Sequence, residues 1–162
     1  DIDTARLRNA IALFYHTEVI WQPSCALPAA AWYEPRQRYK ADTIINYLQE
    51  KASFNMKTLV GFTNKDISTT KDENPDYGIF GLGFMPGKGC IISTYRLKKG
   101  AKNEEHLYQR TLKVALHEIG HNYGLDHCTS GYSCLMKDAA GTIKTVDEER
   151  MELCESCLRK LN

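Results

Sequence analysis

The segment HEIGHNYGLDHC, residues 117–128, concentrates residue types that bind metals and move protons. His117 and His121 are four residues apart, so on a helix they share one face about one turn from each other. Two imidazoles placed in this way can bind one zinc ion. Glu118, next to the first histidine, can lean over the metal without binding it and reach a metal-bound water. The segment therefore predicts a metal site with a carboxylate base.

A third protein ligand follows from the rest of the segment. Gly124 can adopt a left-handed backbone conformation at little cost, which would end the helix and turn the chain back. His127 would then reach the same metal from outside the helix, and three protein ligands leave one position open for water. The pentapeptide HEIGH alone could arise by chance as a polar turn, but the added G-x-x-H makes this much less frequent. His16 and His106 have no such spacing, so we interpret them as solvated or core histidines.

Four cysteines suggest a second metal site. Cys128 and Cys134 bracket a short loop, and Cys154 and Cys157 form a C-x-x-C pair that would share a helix face. Two thiolates from a loop and two from a helix can close a tetrahedral zinc site, and with no open position that site would be structural. The alternatives are two disulfides or four unrelated thiols. Such a zinc would hold the chain directly beside His127.

The remaining cysteines, Cys25 and Cys90, stand apart from this group. Free cysteine is among the most frequently buried residue types, so we expect both to be small buried hydrophobic residues. A disulfide between them is the alternative, and it requires an oxidising compartment.

The bulk composition is that of an ordinary globular protein. The 162 residues are 43% hydrophobic and 25% charged, with a net charge of +1. This length suits a single domain over residues 1–162, and the charge gives no indication of nucleic-acid binding. The apolar runs are too short to span a membrane. Clustered thiolates favour the cytoplasm, and the alternative is a secreted or periplasmic protein whose N-terminal signal has been removed.

Hydrophobic periodicity predicts the elements that would position these residues. We expect helices over residues 4–16, with Asp3 as N-cap, and over residues 36–53. Strands are predicted over residues 17–22, 58–63, 77–84 and 90–97, and a polar surface loop over residues 65–76. This order favours a mixed α/β sheet with packed helices.

Two further helices are expected in the last third of the chain. Asn103 can cap a helix that runs to about Tyr123, and Gly124 sits where a left-handed C-cap would lie. Thr145 and Glu148 match a capping box, which predicts a final helix carrying Cys154 and Cys157 on one side. Residues of about 1–123 would then form the sheet and the metal-binding helix, and about 124–162 a C-terminal subdomain.

The motif residues resemble those of the archaemetzincins, a family of metzincin-type zinc peptidases. The family pattern H-E-x-x-H-x-x-G-x-x-H-C is matched by HEIGHNYGLDHC. It continues as C-x-M, seventeen residues and C-x-x-C, matched here by CLM (134–136), residues 137–153 and CESC (154–157). One departure is the loop TSGYS, which is one residue longer than the family spacer. Less specific similarity in AWYEPRQRYKADTIINYL, TNKDIS, FGLG and STYRL extends the resemblance over most of the chain.

The resemblance implies roles for individual residues. His117, His121 and His127 would bind a catalytic zinc, with Glu118 as general base. Cys128, Cys134, Cys154 and Cys157 would bind a second, structural zinc, making two ions per chain. Met136 would supply the Met-turn, an apolar floor under the metal. The fold would be of the metzincin type, with a twisted mixed β-sheet, packed helices, an active-site helix that ends at a glycine, and a C-terminal helix.

The predicted activity is hydrolysis of peptide bonds in a peptide or protein substrate by a monomer, with water activated by zinc and Glu118. An edge strand within residues 77–84 would line the cleft. Gly81 and Gly83 there could admit a substrate backbone, or could merely mark a bulge. No tyrosine directly follows Met136, and Tyr123 and Tyr132 are the nearest candidates for an oxyanion partner. The alternative function is a catalytically silent, zinc-stabilised binding or regulatory module; hydrolysis of a non-peptide amide is a third.

Overall fold

In a computed structural model, the described residues, 2–130 and 133–161, contain six α-helices and seven β-strands. The helices are α1 (Thr4–Tyr15), α2 (Ala41–Lys51), α3 (Thr94–Leu97), α4 (Glu104–Asn122), α5 (Ile143–Glu148) and α6 (Glu155–Leu161). The strands are β1 (Trp32–Tyr33), β2 (Arg38–Lys40), β3 (Leu59–Thr63), β4 (Ile67–Lys71), β5 (Asn74–Ile79), β6 (Gly81–Gly83) and β7 (Gly89–Ser93).

The strands form two sheets, each with parallel and antiparallel pairs. The larger sheet has the order β1-β2-β4-β5, in which only β2 and β4 are parallel. The smaller sheet has the order β3-β7-β6, with β3 parallel and β6 antiparallel to β7. The mixed α/β class is thus confirmed. β6 is one of the two edge strands of the smaller sheet.

Strand β7 separates the hydrophobic core into two clusters. Side chains alternate across a strand, so Cys90 and Ile92 face one side and Ile91 the other. Cys90 and Ile92 pack in the cluster that contains α1, α4 and the C-terminal segment, whereas Ile91 packs with Ile44 and Ile45 of α2. The helix that carries the histidines is therefore fixed against the sheet along its length.

Helix α4 begins and ends where the sequence predicts. The side chain of Asn103 accepts a hydrogen bond from the amide of His106, which satisfies one of the free N–H groups of the first turn. Glu104 and Glu105 lie in that turn, where the helix dipole favours negative charge. At the other end Gly124 has φ +87°, the left-handed conformation expected of it.

Two predictions in the N-terminal half are wrong. Residues 17–22 form no strand. Helix α1 ends at Tyr15 with His16 as a left-handed C-cap, and the ring of Trp21 stacks on Phe62. The predicted helix over 36–53 begins only at Ala41, because Gln37 is left-handed (φ 52°) and residues 38–40 pair as β2.

The predicted surface loop over residues 65–76 is largely a β-hairpin. Strands β4 and β5 pair across a turn at Asp72, which has φ 53°. Ile67, Ser68 and Thr69 are buried although two of them are polar, so the hydrophobic pattern conceals the strand. Pro75 is compatible with β5 because β5 is an edge strand.

The C-terminal helix is divided, contrary to the prediction of one helix starting at Thr145. Thr142 is the N-cap of α5 and accepts from the amide of Thr145; α5 ends at Glu148. Extended chain then leads to α6, which begins at Glu155. Cys154 therefore precedes the helix rather than sharing a face with Cys157. The break places Leu153 in the core.

The two separate cysteines have different environments. Cys90 is fully buried, as predicted, whereas Cys25 is exposed, so the prediction of burial is wrong for Cys25. All six cysteines lie in the described residues and are free, so Cys25 and Cys90 form no disulfide. Among the described helices, none combines the length and apolarity required to cross a membrane.

Candidate active site

His117 and His121 project from one face of α4 and are held by hydrogen bonds to backbone carbonyls. Nδ1 of His117 lies 2.8 Å from the carbonyl oxygen of Leu135, and Nδ1 of His121 lies 2.7 Å from that of Leu125. A carbonyl oxygen can only accept, so Nδ1 carries the hydrogen in both rings. Each Nε2 is therefore left with a lone pair directed toward the other histidine.

These two lone pairs indicate a cation. The Nε2 atoms are 3.0 Å apart, and neither has a hydrogen to share when both rings are neutral. Burial lowers the pKa of His117 to about 4 and also lowers the pKa of His121, which keeps both rings neutral. Three nitrogens around a zinc ion at about 2.0–2.1 Å would lie roughly 3.3 Å apart, so the donor set fits zinc.

His127 completes the cluster from the segment that follows Gly124. Its ring centroid lies 5.4 Å from that of His117 and 4.8 Å from that of His121. One ligand nitrogen from each ring lies within 4.8 Å of the others. The structure thus brings together the three histidines that the sequence predicts. His127 is exposed, which leaves the site accessible from the cleft.

Met136 packs against α4 at Gly120, one residue before His121. It is fully buried, and a Cβ atom added to Gly120 would lie only 2.5 Å from its Sδ. Gly120 therefore permits close packing of the methionine against the helix that carries His117 and His121. The amide of Cys128 also donates to the carbonyl of Met136 at 2.7 Å, which joins the segment after His127 to this turn.

Glu118 lines the same cleft but is largely buried, with 9% of the residue exposed. Burial raises the pKa of its carboxyl group to about 8, and the backbone amide of Gly83 opposes that shift. A metal cation at the histidines would lower the pKa again, because a nearby opposite charge favours the ionised carboxylate. Such a carboxylate can accept a proton and return it within the cleft.

The edge strand β6 forms one wall of the cleft and lies against α4. A Cβ atom at Gly81 would lie 2.8 Å from Val114 and 2.9 Å from Glu118, and one at Gly83 would lie 2.6 Å from the carbonyl oxygen of Glu118. The register between β6 and β7 is regular, without a bulge. The immediate reason for these glycines is thus the close approach of strand and helix.

The four clustered cysteines also come together. Sγ of Cys128 lies 3.6 Å from that of Cys154, and Sγ of Cys134 lies 3.8 Å from that of Cys157. All four sulfur atoms are within 4.8 Å of one another. A tetrahedron with Zn–S bonds of about 2.3 Å has S–S edges of roughly 3.8 Å, so this group fits zinc. A disulfide requires about 2.05 Å, and these sulfur atoms form none.

Hydrogen bonds surround the sulfur atoms. The hydroxyl groups of Ser130 and Ser156 contact the sulfurs of Cys128 and Cys154, and the amide of Cys154 donates to Cys134. The Ser156 hydroxyl is the largest influence that lowers the pKa of Cys154, to about 5, which favours its thiolate. Gly131 and Tyr132 of the extended TSGYS loop lie outside the described residues.

Several side chains that the sequence did not single out also line the cleft, among them Tyr77, Lys113, Asp138 and Glu149. Only Lys113 carried a usable signal, because it lies four residues before His117 and continues the same helix face. Of the two tyrosines considered as oxyanion partners, Tyr123 packs against Tyr15 away from the cleft, and Tyr132 lies outside the described residues.

Comparison with protein families matches the sequence model of peptidase family M54 to residues 24–162. The archaemetzincin of Haloarcula marismortui is 32% identical over 154 residues, covering 91% of this chain and 84% of the relative. That of Halobacterium salinarum is 31% identical over 158 residues, covering 93% and 87%.

Solved structures agree with these sequence relatives. The crystal structure of archaemetzincin from Archaeoglobus fulgidus, complexed with malonate, has a TM-score of 0.81 at 26% identity, covering 99% of this chain and 93% of that one. Archaemetzincin from Methanopyrus kandleri has a TM-score of 0.82 at 24% identity, covering 97% and 82%, and supports the fold alone.

Proposed function

This chain belongs to peptidase family M54 and is a zinc-dependent peptidase, and on that premise we propose that Glu118 is its general base. One observation carries the proposal. The paired, hydrogen-free Nε2 atoms of His117 and His121 lie in the same cleft as the buried carboxyl group of Glu118. A metal site and a proton acceptor are thereby adjacent.

We propose that His117, His121 and His127 hold the catalytic zinc. When bound, zinc supplies a Lewis acid that lowers the pKa of a bound water and polarises the scissile carbonyl. The carbonyl groups of Leu135 and Leu125 fix the tautomers of the first two rings, which presents Nε2 to the metal without rearrangement. Met136, buried against Gly120 of the same helix, would form the apolar floor under the metal.

Glu118 would move the protons of the reaction. Its carboxylate accepts a proton from the attacking water and delivers it to the amine that leaves, so one group serves as base and then as acid. Burial excludes bulk water from this carboxyl group, which strengthens its electrostatic interactions. The amide of Gly83 contacts the carboxylate and helps to hold its orientation.

We propose that a peptide or protein substrate lies along β6. This strand pairs with β7 on one side only, so its other edge offers backbone hydrogen-bonding groups to an extended peptide. The edge borders the same cleft as the histidines, which would bring the scissile bond of a bound peptide to the metal. The positions of cleavage would distinguish an endopeptidase from an aminopeptidase.

We further propose that Cys128, Cys134, Cys154 and Cys157 hold a second, structural zinc, making two ions per chain. The distances between the sulfur atoms support this, and all four positions of a tetrahedral site would be filled by protein. The residues of about 124–162 would then form a subdomain of a single catalytic domain. Leu135, Met136 and Leu153 support that view, since they share a core cluster with α1 and α4.

The test is a digest of a peptide pool by the zinc-loaded protein, read by mass spectrometry. Glu118→Gln should retain zinc and lose at least about 100-fold in turnover, the lower range for general acid–base catalysis. Glu104→Gln is the matched control, because Glu104 is an exposed residue in the first turn of the same helix. If Glu118→Gln cleaves as fast as the wild type, Glu118 is not the base.

The alternative of a catalytically silent binding module is not favoured by the family relationship. It would gain support only if the wild-type protein retained zinc and cleaved no peptide. We retain two smaller predictions, that the protein is a monomer and that it does not bind nucleic acid. The net charge of +1 supports the second. Sedimentation and a filter-binding assay would test them.

A further inference from the structure

A recess beside the histidine cluster combines apolar walls with a buried acid. Lys113 lies four residues before His117 on α4, so its side chain leaves the same helix face about one turn away. Val114 and Val146 line the same cleft, as does Glu149 directly after α5. We call Lys113, Val114, Val146 and Glu149 the acid recess. The acid recess and the histidine cluster line one cleft, so a peptide bound at the histidines could place a neighbouring side chain in the recess.

One oxygen of the Glu149 carboxyl group is buried and has no hydrogen-bond partner among the described residues. Only 9% of the residue is exposed, and its Oε1 accepts no hydrogen bond from the described residues. The Nδ1 atoms of His117 and His121 in the same cleft, by contrast, are paired with carbonyl oxygens. A buried carboxylate is unfavourable unless it is paired, so an unpaired one that lines a substrate cleft indicates a missing cation.

The charged groups around Glu149 do not satisfy it. Burial raises its pKa to about 7, whereas Lys113 and Lys137 lower it and Asp138 raises it. Burial is the largest of these influences, so the two lysines do not compensate for lost solvation. Nζ of Lys113 donates instead to the carbonyl oxygens of Val146 at 2.8 Å and Asp147 at 3.0 Å.

The aspartates that line the cleft either accept a hydrogen bond or are exposed to solvent. Asp138 accepts a hydrogen bond from the amide of Ala140 at 2.7 Å. The side chain of Asp126 is 61% exposed and lies 3.6 Å from Nζ of Lys160. Glu118 is reserved for proton transfer in the proposed mechanism. Glu149 is therefore the carboxylate available for a charged group of the substrate.

We propose that Glu149 determines specificity by pairing with a lysine or arginine side chain on a substrate residue that flanks the scissile bond. The proposal rests on the proposed peptidase function and adds the class of substrate. The apolar stem of lysine or arginine would lie against Val114 and Val146, while its cationic end reaches the carboxylate. The charge of the substrate would thereby compensate for the burial of Glu149.

The test uses peptides Ala-Ala-X-Ala-Ala-amide, with X as lysine, arginine, norleucine or glutamate, each with a free and with an acetylated amino terminus. Norleucine has nearly the shape of lysine without its charge. Cleavage by the zinc-loaded wild type gives kcat/KM, and the fragments show which side of X is cut. Binding of the same peptides to zinc-loaded Glu118→Ala, measured by calorimetry, gives a readout that does not require turnover.

We expect lysine and arginine peptides to be preferred over norleucine by roughly ten- to a hundredfold, the effect of one charge-assisted hydrogen bond. Glu149→Gln should remove this preference by weakening the cationic peptides alone. Glu148→Gln is the matched control, because it removes the neighbouring exposed carboxylate outside the cleft and should keep the preference. Glu149→Asp, which keeps the charge, should retain part of it.

Equal cleavage and equal binding of lysine and norleucine peptides by the wild-type site would overturn the proposal. A preference for lysine and arginine peptides that persists in Glu149→Gln would also overturn it. The same is true of a preference that depends on the free amino terminus of the peptide and not on residue X. If circular dichroism shows that Glu149→Gln does not fold, the proposal is decided by two other measurements. These are the comparison of lysine with norleucine peptides on the wild type and the preference of Glu149→Asp. Failure of the peptidase function is separate, since it appears as no cleavage of any peptide by the wild type, and the binding comparison still applies.

Discussion

The Nε2 atoms of His117 and His121 face each other at 3.0 Å while Nδ1 of each ring donates to a carbonyl oxygen. The fold thus determines which nitrogen of each ring is free for a metal. His127 differs from this pair because it is exposed and arrives from a separate segment of the chain. It is therefore the ligand whose removal least disturbs the core.

We predict that His127→Ala loses one equivalent of zinc and all peptidase activity but retains its fold. Losing a ligand should lower the affinity for zinc by more than the roughly 10- to 100-fold that is typical of losing a hydrogen bond to a ligand. Zinc content measured by mass spectrometry after dialysis, with circular dichroism, checks this. His16→Asn is the control, because His16 is a left-handed helix cap and asparagine tolerates that conformation. A His127→Ala protein that retains two equivalents would contradict the assignment.

We predict that Cys157→Ser loses the other equivalent of zinc and much of the stability of the protein. Binding energy at a structural site contributes directly to folding. A loss of at least about 3 kcal/mol, or roughly 10 °C in Tm, is expected for a domain of this size. Cys25→Ser changes an exposed thiol and should leave Tm and zinc content unaltered. Equal Tm values for the two variants would exclude a structural metal at the cysteines.

We predict that alanine at the two glycines of β6 has different effects, on kcat at Gly81 and on stability at Gly83. An added methyl group at Gly81 would meet the side chains of Val114 and Glu118, which can shift, so Gly81→Ala should reduce kcat with little loss of stability. At Gly83 an added methyl group would meet the backbone carbonyl of Glu118, which cannot shift. Gly83→Ala should therefore lower the free energy of unfolding by about 1–3 kcal/mol. Urea denaturation and kcat measured on both variants check this. The reverse order of stability would show that β6 is not fixed against α4.

We predict that Glu149→Gln stabilises the protein at high pH. Burial raises the pKa of Glu149 from 4.5 to about 7, so folding favours its protonated form. The wild type therefore loses stability as the pH rises from about 4.5 to about 7, by up to about 3 kcal/mol, and the glutamine variant does not. Denaturation of both proteins with excess zinc should give equal stabilities near pH 5 and a more stable variant at pH 8. A difference that does not change with pH would refute this environment for Glu149.

The helix that carries the histidines could be predicted because its signals are local. Asn103 as cap, the four-residue spacing of His117 and His121, and Gly124 as terminator all act within a turn or two of chain. The same holds for β3, whose apolar run predicts a strand; the strand is half-buried. Metal ligands are equally explicit, since few residue types can bind zinc and their spacings are constrained.

The errors occur where distant partners decide the structure. Residues 17–22 have strand propensity but pair with no neighbouring strand, whereas residues 68–71 are polar yet belong to β4, which lies between two partner strands. Strand formation depends on pairing with another segment, which local composition does not reveal. The division of the C-terminal helix has a similar origin, because Leu153 enters the core and Cys154 joins the sulfur cluster.

By itself the sequence predicted the chemistry of this protein. Three histidines, a glutamate and four cysteines at these spacings indicate zinc sites, and the resemblance of the motif implies a zinc peptidase and the role of Met136. That prediction depends only on residue types and on their spacing along the chain. Only the tertiary structure decided what surrounds these residues, including the neutral tautomers of His117 and His121, the contact of β6 with α4, and the unpaired carboxyl oxygen of Glu149. Burial and partnership depend on segments far apart in the chain, which meet only when the core closes.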